Sequence, residues 1–204
     1  VTVLDGQLPV ISAQPTTRTV CAGTSTTFSV TATTAPNAGG PIAYQWQQWN
    51  GLAWNNISGA TSSTYTINNV TLPMNTNTFR VVLTGLCTVV NSNAATLFVN
   101  PLPTVSLTTN ALNSLLPAQT TSLVATVNPT GGNFVWRKNN AVVAGAAGAV
   151  LPGLTVDNIG NYTVTYTDPN GCTTTSSNVA ISGAASDNMW VYPNPNNGVF
   201  QVRF

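Results

Sequence analysis

The sequence predicts an all-β chain built of β-sandwiches in tandem, and three observations carry that prediction. Charged residues make up 4% of the 204 and hydrophobic residues 43%, against roughly 25% charge in ordinary globular domains. Thr and Val suit the pleated, half-buried surface of a strand, Asn and Gly suit turns, and helix-forming stretches are nearly absent. The third observation is that the chain repeats itself. Short alternating segments recur roughly every 8–12 residues around one central Trp in each of two halves, which is the pattern of a sandwich.

The elements follow in order. Residues 1–8, "VTVLDGQL", read as the end of a preceding domain or a linker. Domain one spans 9–100. Phe28, Val30 and Ala32 alternate in "TFSVTA", Trp46 sits in "IAYQWQQW", Phe79 and Val81 alternate in "FRVVL", and "NAATLFVN" closes the domain. Residues 101–103, "PLP", form a linker. Domain two spans 104–182 and runs through the same series. Leu123, Ala125 and Val127 alternate, Trp136 matches Trp46, Tyr162 and Val164 match Phe79 and Val81, Cys172 matches Cys87, and "SNVAIS" is the last strand. The linker "FVNPLPTVS" resembles the opening "VTVLDGQLPVIS", so residues 1–4 are expected to end an earlier domain. Short linkers containing Pro limit hinging. Residues 183–204 are a polar linker, "GAASDN", then "MWVYPNPNNGVFQVRF", which reads as a turn launching a strand. A lone strand there has no partner to pair its backbone, so the chain is expected to break off inside a further domain. The absence of a signal peptide at Val1 makes that position read as internal or processed.

At these residues the chain resembles immunoglobulin-like domains. Trp46 and Trp136 stand where that family places its core Trp on strand C, and "DNIGNYTV" resembles the motif before strand F, with Tyr162 as the corner tyrosine. The resemblance implies tandem immunoglobulin-like β-sandwiches with a partial third β-sandwich at the C-terminus. Both repeats depart from the antibody pattern, because Val30 and Val81 replace the inter-sheet cysteines in the first and Ala125 and Val164 in the second. Hydrophobic packing is then expected to join the sheets.

On that fold the three cysteines separate. Cys21 precedes the turn into strand B at one end of domain one, and Cys87 lies near the tip of the F–G hairpin at the other. At about 3.3 Å per residue they stand on the order of 25–30 Å apart, whereas a disulfide needs Cα atoms within about 7 Å. In a tandem array Cys21 meets Cys172 at the domain junction, and Cys87 faces a preceding domain or another subunit. A Cys21–Cys87 bond is the alternative. Three cysteines in an exported chain leave one over in either case.

The C-terminal stretch closely resembles the start of the C-terminal sorting domain of type IX secretion substrates of the Bacteroidota. The matching residues are Tyr192, Pro193, Asn194, Pro195 and Gly198, followed by alternating Val199, Gln201 and Arg203 against Phe200, Val202 and Phe204. The resemblance implies an exported protein, secreted or held at the cell surface in association with the outer membrane, with the type IX machinery as a partner.

Chemistry is sparse. There is no His, and Asp5, Asp157, Asp168 and Asp187 are the only carboxylates. No general acid–base pair, calcium cluster, zinc set or activated nucleophile is expected, and no cofactor. A net charge of +1 offers no basic patch for nucleic acid, and no run of about 20 apolar residues spans a membrane. Asn56, Asn69 and Asn161 match Asn-x-Ser/Thr and are expected to be unmodified in a bacterial protein. Trp49 and Trp54, beyond the core Trp46, are a candidate platform for stacking surface glycans. The chain is thus expected to be a non-enzymatic stalk, adhesin shaft or fibre subunit that meets its neighbours head to tail. A glycan-binding module and an accessory region of a secreted hydrolase are the alternatives.

Overall fold

The computed structural model describes residues 9–34, 41–85, 88–184, 190–192 and 201–203. The chain divides into two compact units, Val1–Pro101 and Leu102–Phe204. Regular structure among the described residues is almost wholly strand, and no helix is long and apolar enough to cross a membrane.

Unit one contains β1 (Val10–Ala13), β2 (Arg18–Cys21), β3 (Thr26–Ser29), β4 (Thr31–Thr33), β5 (Ala43–Trp49), β6 (Trp54–Asn56), β7 (Thr64–Ile67), β8 (Thr78–Thr84), β9 (Val89–Asn91) and β10 (Ala95–Asn100). The larger sheet runs β2-β10-β8-β5-β6, with β9 beside β8; β3 pairs with β7, and β1 with β4. The first strand switches sheets. β1 pairs antiparallel with β4, the chain passes the buried Pro15, and β2 resumes parallel to β10. Pro has no N–H to continue a ladder, so it ends one pairing and frees the chain to enter the other. The core closes between the sheets. Phe28 packs against Trp46 and Phe79 at 6.3 and 5.1 Å between ring centroids, and Tyr65 lies 6.0 and 5.6 Å from the same two rings. These tilted arrangements suit the quadrupoles of aromatic rings.

Unit two contains β11 (Thr104–Thr109), β12 (Ser114–Leu115), β13 (Thr121–Asn128), β14 (Asn133–Lys138), β15 (Ala141–Val142), β16 (Val150–Leu154), β17 (Gly160–Thr167), β18 (Thr173–Thr175) and β19 (Val179–Gly183). Its sheets run β12-β19-β17-β14-β15, with β18 beside β17, and β11-β13-β16. Leu107, Leu123 and Leu151 from the second sheet close on Trp136, Tyr162, Val164 and Ile181 from the first. Beyond it β20 (Trp190–Tyr192) pairs antiparallel with β21 (Gln201–Arg203), Tyr192 opposite Gln201. Pro193, Asn194, Pro195 and Gly198, expected from the resemblance to form a sorting motif, lie outside the described residues.

The two units share one register. Trp46 stands opposite Val81, and Trp136 opposite Val164. Both Trp side chains are fully buried. Each indole N–H donates to a backbone carbonyl across the core, that of Ser62 at 2.9 Å and that of Gly148 at 2.8 Å. Val30, Val81, Ala125 and Val164 are buried at the positions where a disulfide would join the sheets. Packing of small and branched side chains takes that place.

A second shared device pins the strand opposite each Trp. The buried Ser92 hydroxyl accepts the Val81 N–H at 2.9 Å, while the Ser92 N–H donates to the Val81 carbonyl. Ser176 repeats this with Val164, at 3.1 Å for the side-chain bond. Removing such a hydroxyl leaves a buried N–H unpaired, which costs about 1–3 kcal/mol. Ser176→Ala is therefore expected to lower the stability of unit two by that amount, read as a shift in the denaturation midpoint. A loss below about 0.5 kcal/mol would mean that the clip is idle.

Candidate functional site

The aromatic candidate lies at the edge of the larger sheet of unit one. β5 and β6 form a hairpin in which Trp49 stands opposite Trp54 and Gln47 opposite Asn56. Asn50 shapes its turn by accepting the N–H groups of Leu52 and Ala53 at 2.9 and 2.8 Å, the backbone-mimicking role that favours Asn in turns. Alternation sends Trp46 into the core and Gln47 and Trp49 to the other face. The two outer indoles sit 5.4 Å apart at 55° to each other. Trp49 is 38% exposed, and Trp54 is half-buried.

Sequence reasoning missed the polar partners of this pair. Arg80 stands opposite Gln47 on β8. Its guanidinium carbon lies 4.5 Å from the Trp54 ring centroid, a cation–π contact. Its Nε donates to Gln47 Oε1 at 2.8 Å, and Gln47 Nε2 donates to Asn56 Oδ1 at 2.8 Å. The only sequence signal was the period-2 pattern of "TFRVVL", which sends Arg80 outward but does not say opposite which residue.

The cysteines form the other candidate. Cys21 ends β2 opposite Asn100, the last residue of β10, and the Ala22 N–H donates to the Asn100 carbonyl at 2.9 Å. Cys21 therefore lies at the end where the chain leaves unit one. In unit two the chain enters at Thr104 opposite Asn128, and β14 begins at Asn133 opposite Thr167. Cys172 follows the turn after Thr167, so it lies at the end where the chain enters.

"DPNGC" is a turn built around Asp168. The buried carboxylate accepts the N–H groups of Asn170 and Cys172 at 2.9 and 2.8 Å, and the Asp168 N–H donates to the Cys172 carbonyl at 2.9 Å. Gly171 supplies the left-handed conformation that the turn requires, at φ +83°. Both backbone groups of Cys172 are thus fixed by Asp168. Cys21 and Cys172 are each disulfide-bonded. Cys87 lies outside the described residues.

The corner tyrosine takes the role that the resemblance implies. The Tyr162 hydroxyl donates to the Asn158 carbonyl, just after a short 3-10 turn capped reciprocally by Thr155 and Asn158. Burial holds Tyr162 and Tyr65 above the ordinary phenol value. The folded state retains these protons, so their contribution is intact below that value and is lost as the pH rises through the raised ones. Among the described residues no group of three or more His, Cys, Asp or Glu could hold a metal. Asn161, one of the Asn-x-Ser/Thr positions, lines a shallow cleft with Asn139, Asn140, Thr163 and Asn178.

The fold and these sites define a class, tandem immunoglobulin-like β-sandwiches. Residues 11–101 match the model of a family described as a domain of unknown function (DUF8696). No curated protein matches the chain. Among solved structures it is similar to an I-band fragment of titin, at 16% identity over 86% of this chain and 65% of that one, with a TM-score of 0.50. It is also similar to extracellular domains 3–5 of Drosophila OTK, at 14% identity over 87% of this chain and 62% of that one, again with a TM-score of 0.50. The chain spans less than two thirds of the length of either. Identities this low speak to the fold alone.

Proposed function

We propose that the chain is a non-enzymatic structural segment of an exported protein, a stiff immunoglobulin-like stalk or fibre subunit carrying a type IX sorting signal. The observation that carries this reading is the oxidised state of Cys21 and Cys172, each at the linker end of its own unit. We assign them to one another. Only residues 101–103 separate β10 from β11, and a linker of that length reaches about 3.3–3.6 Å per residue when fully extended. A covalent staple beside so short a linker removes the bending freedom that two domains otherwise have. Persistent disulfides belong to oxidising compartments, which supports a secreted or outer-membrane-associated location. In this reading Cys87 joins a preceding domain or another subunit, and head-to-tail contacts of that kind extend into a fibre unless they close a ring.

The export half of the proposal rests on "YPNPNNG" and on the pairing of the strands that flank it. Deleting residues 192–204 and everything after them from the full-length protein is expected to abolish its appearance outside the cell and leave it in the periplasm. Fractionation and immunoblotting read the outcome. Export at the wild-type level after the deletion would contradict the sorting assignment.

A further inference from the structure

We infer that the outer face of the β5–β6 hairpin and β8 is a binding site for the pyranose rings of a glycan, with Trp49 as the stacking platform and Arg80 and Asn56 as hydrogen-bond donors. This site is independent of the stalk and sorting roles. An indole presents a negative π-face with a positive rim. A sugar ring matches it with a face of weakly positive C–H bonds bordered by hydroxyl and ring oxygens. At this hairpin Trp54 is already occupied by the Arg80 guanidinium, 4.5 Å from its centroid. Trp49, 38% exposed and tilted against Trp54, is the indole that remains for a ligand.

The polar groups beside it are oriented before any ligand arrives. The relay from Arg80 Nε to Gln47 Oε1, and from Gln47 Nε2 to Asn56 Oδ1, uses both polar atoms of Gln47 and one from each end residue. The terminal guanidinium nitrogens of Arg80 and the carboxamide nitrogen of Asn56 are left as donors on the same face as the indoles. Donors held in place lose less freedom on binding. A planar carboxamide and a planar guanidinium suit the paired oxygens along a sugar edge. Unit one shows no carboxylate among its described residues, so nothing there repels uronic or other acidic sugars, and stacking admits neutral ones as well.

The test is affinity electrophoresis of the whole chain through gels containing xylan, mannan, mixed-linkage β-glucan, glycol chitin or polygalacturonate. Retardation is expected in at least one gel. Trp49→Ala is expected to weaken that binding about thirtyfold or more, the cost of removing a Trp hot spot, while the melting temperature stays at that of the wild type. Arg80→Lys keeps the charge but loses the fork of donors, and is expected to weaken binding about tenfold. Absence of retardation in all five gels overturns the inference, as does a Trp49→Ala chain that folds and binds like the wild type. Retardation confined to polygalacturonate and unchanged by Trp49→Ala would mark a charge effect alone and would equally overturn it.

Discussion

Replacing Trp136 by Ala is expected to cost unit two about 3–5 kcal/mol, the usual price of emptying a core position that size. Trp136 is fully buried against both sheets, and its N–H satisfies the Gly148 carbonyl. The substitution removes the ring, leaves a cavity that close-packed neighbours fill only in part, and takes away the donor to the Gly148 carbonyl. Domains are stable by only about 5–15 kcal/mol, so the substitution is expected to remove a large share of the stability of unit two. Trp46→Ala is expected to do the same to unit one, where the ring also packs against Phe28 and Tyr65. Among the described residues the two cores share no buried side chain, so each variant is expected to shift one denaturation transition and leave the other in place. Circular dichroism during urea titration checks this. A shift below about 1 kcal/mol in either case would contradict the packing described.

Gly132→Ala is the second large effect. A Cβ at Gly132 would lie 1.9 Å from the Thr167 carbonyl oxygen and 2.7 Å from the Tyr166 hydroxyl oxygen. The first is backbone and cannot rotate aside. The same hydroxyl accepts the Gly132 N–H at 2.9 Å and donates to the Pro129 carbonyl at 2.7 Å, which closes the loop between β13 and β14 onto β17. Relief requires the loop to move and both bonds to break. A loss of about 3 kcal/mol or more is expected, at the upper end for overpacking. Gly183→Ala, with nothing within 4 Å, is the control and is expected to be close to neutral. Equal midpoints for the two variants would show that the loop is looser than the described geometry.

Much of the fold was legible because periodicity reports burial directly. Phe28, Trp46 and Val164 lay between polar neighbours, Val81 and Trp136 each had one polar neighbour, and all five are buried. The substitution of Val and Ala for the inter-sheet cysteines was equally visible. Ser92 and Ser176 were not, because a single hydroxyl in a chain rich in Ser and Thr has no local signature. Its partner is named by strand register alone. The same reason hid Arg80, which is 33 residues from Gln47 in sequence. Trp49 and Trp54 were picked out as a pair, but their shared face depended on the register of the hairpin. "DPNG" has the residue types of a turn. Its grip on Cys172 needed the geometry of the Asp168 carboxylate.

The Cys21–Cys172 bond can be tested by digestion without reduction. Trypsin cuts after Arg18, Arg80, Arg137, Lys138 and Arg203, so each cysteine falls on its own peptide: Cys21 on 19–80, Cys87 on 81–137 and Cys172 on 139–203. Mass spectrometry of the blocked, unreduced digest is expected to find 19–80 linked to 139–203, and the two released separately after reduction. Peptide 19–80 linked to 81–137, with Cys172 carrying the blocking group, would contradict the stapled stalk.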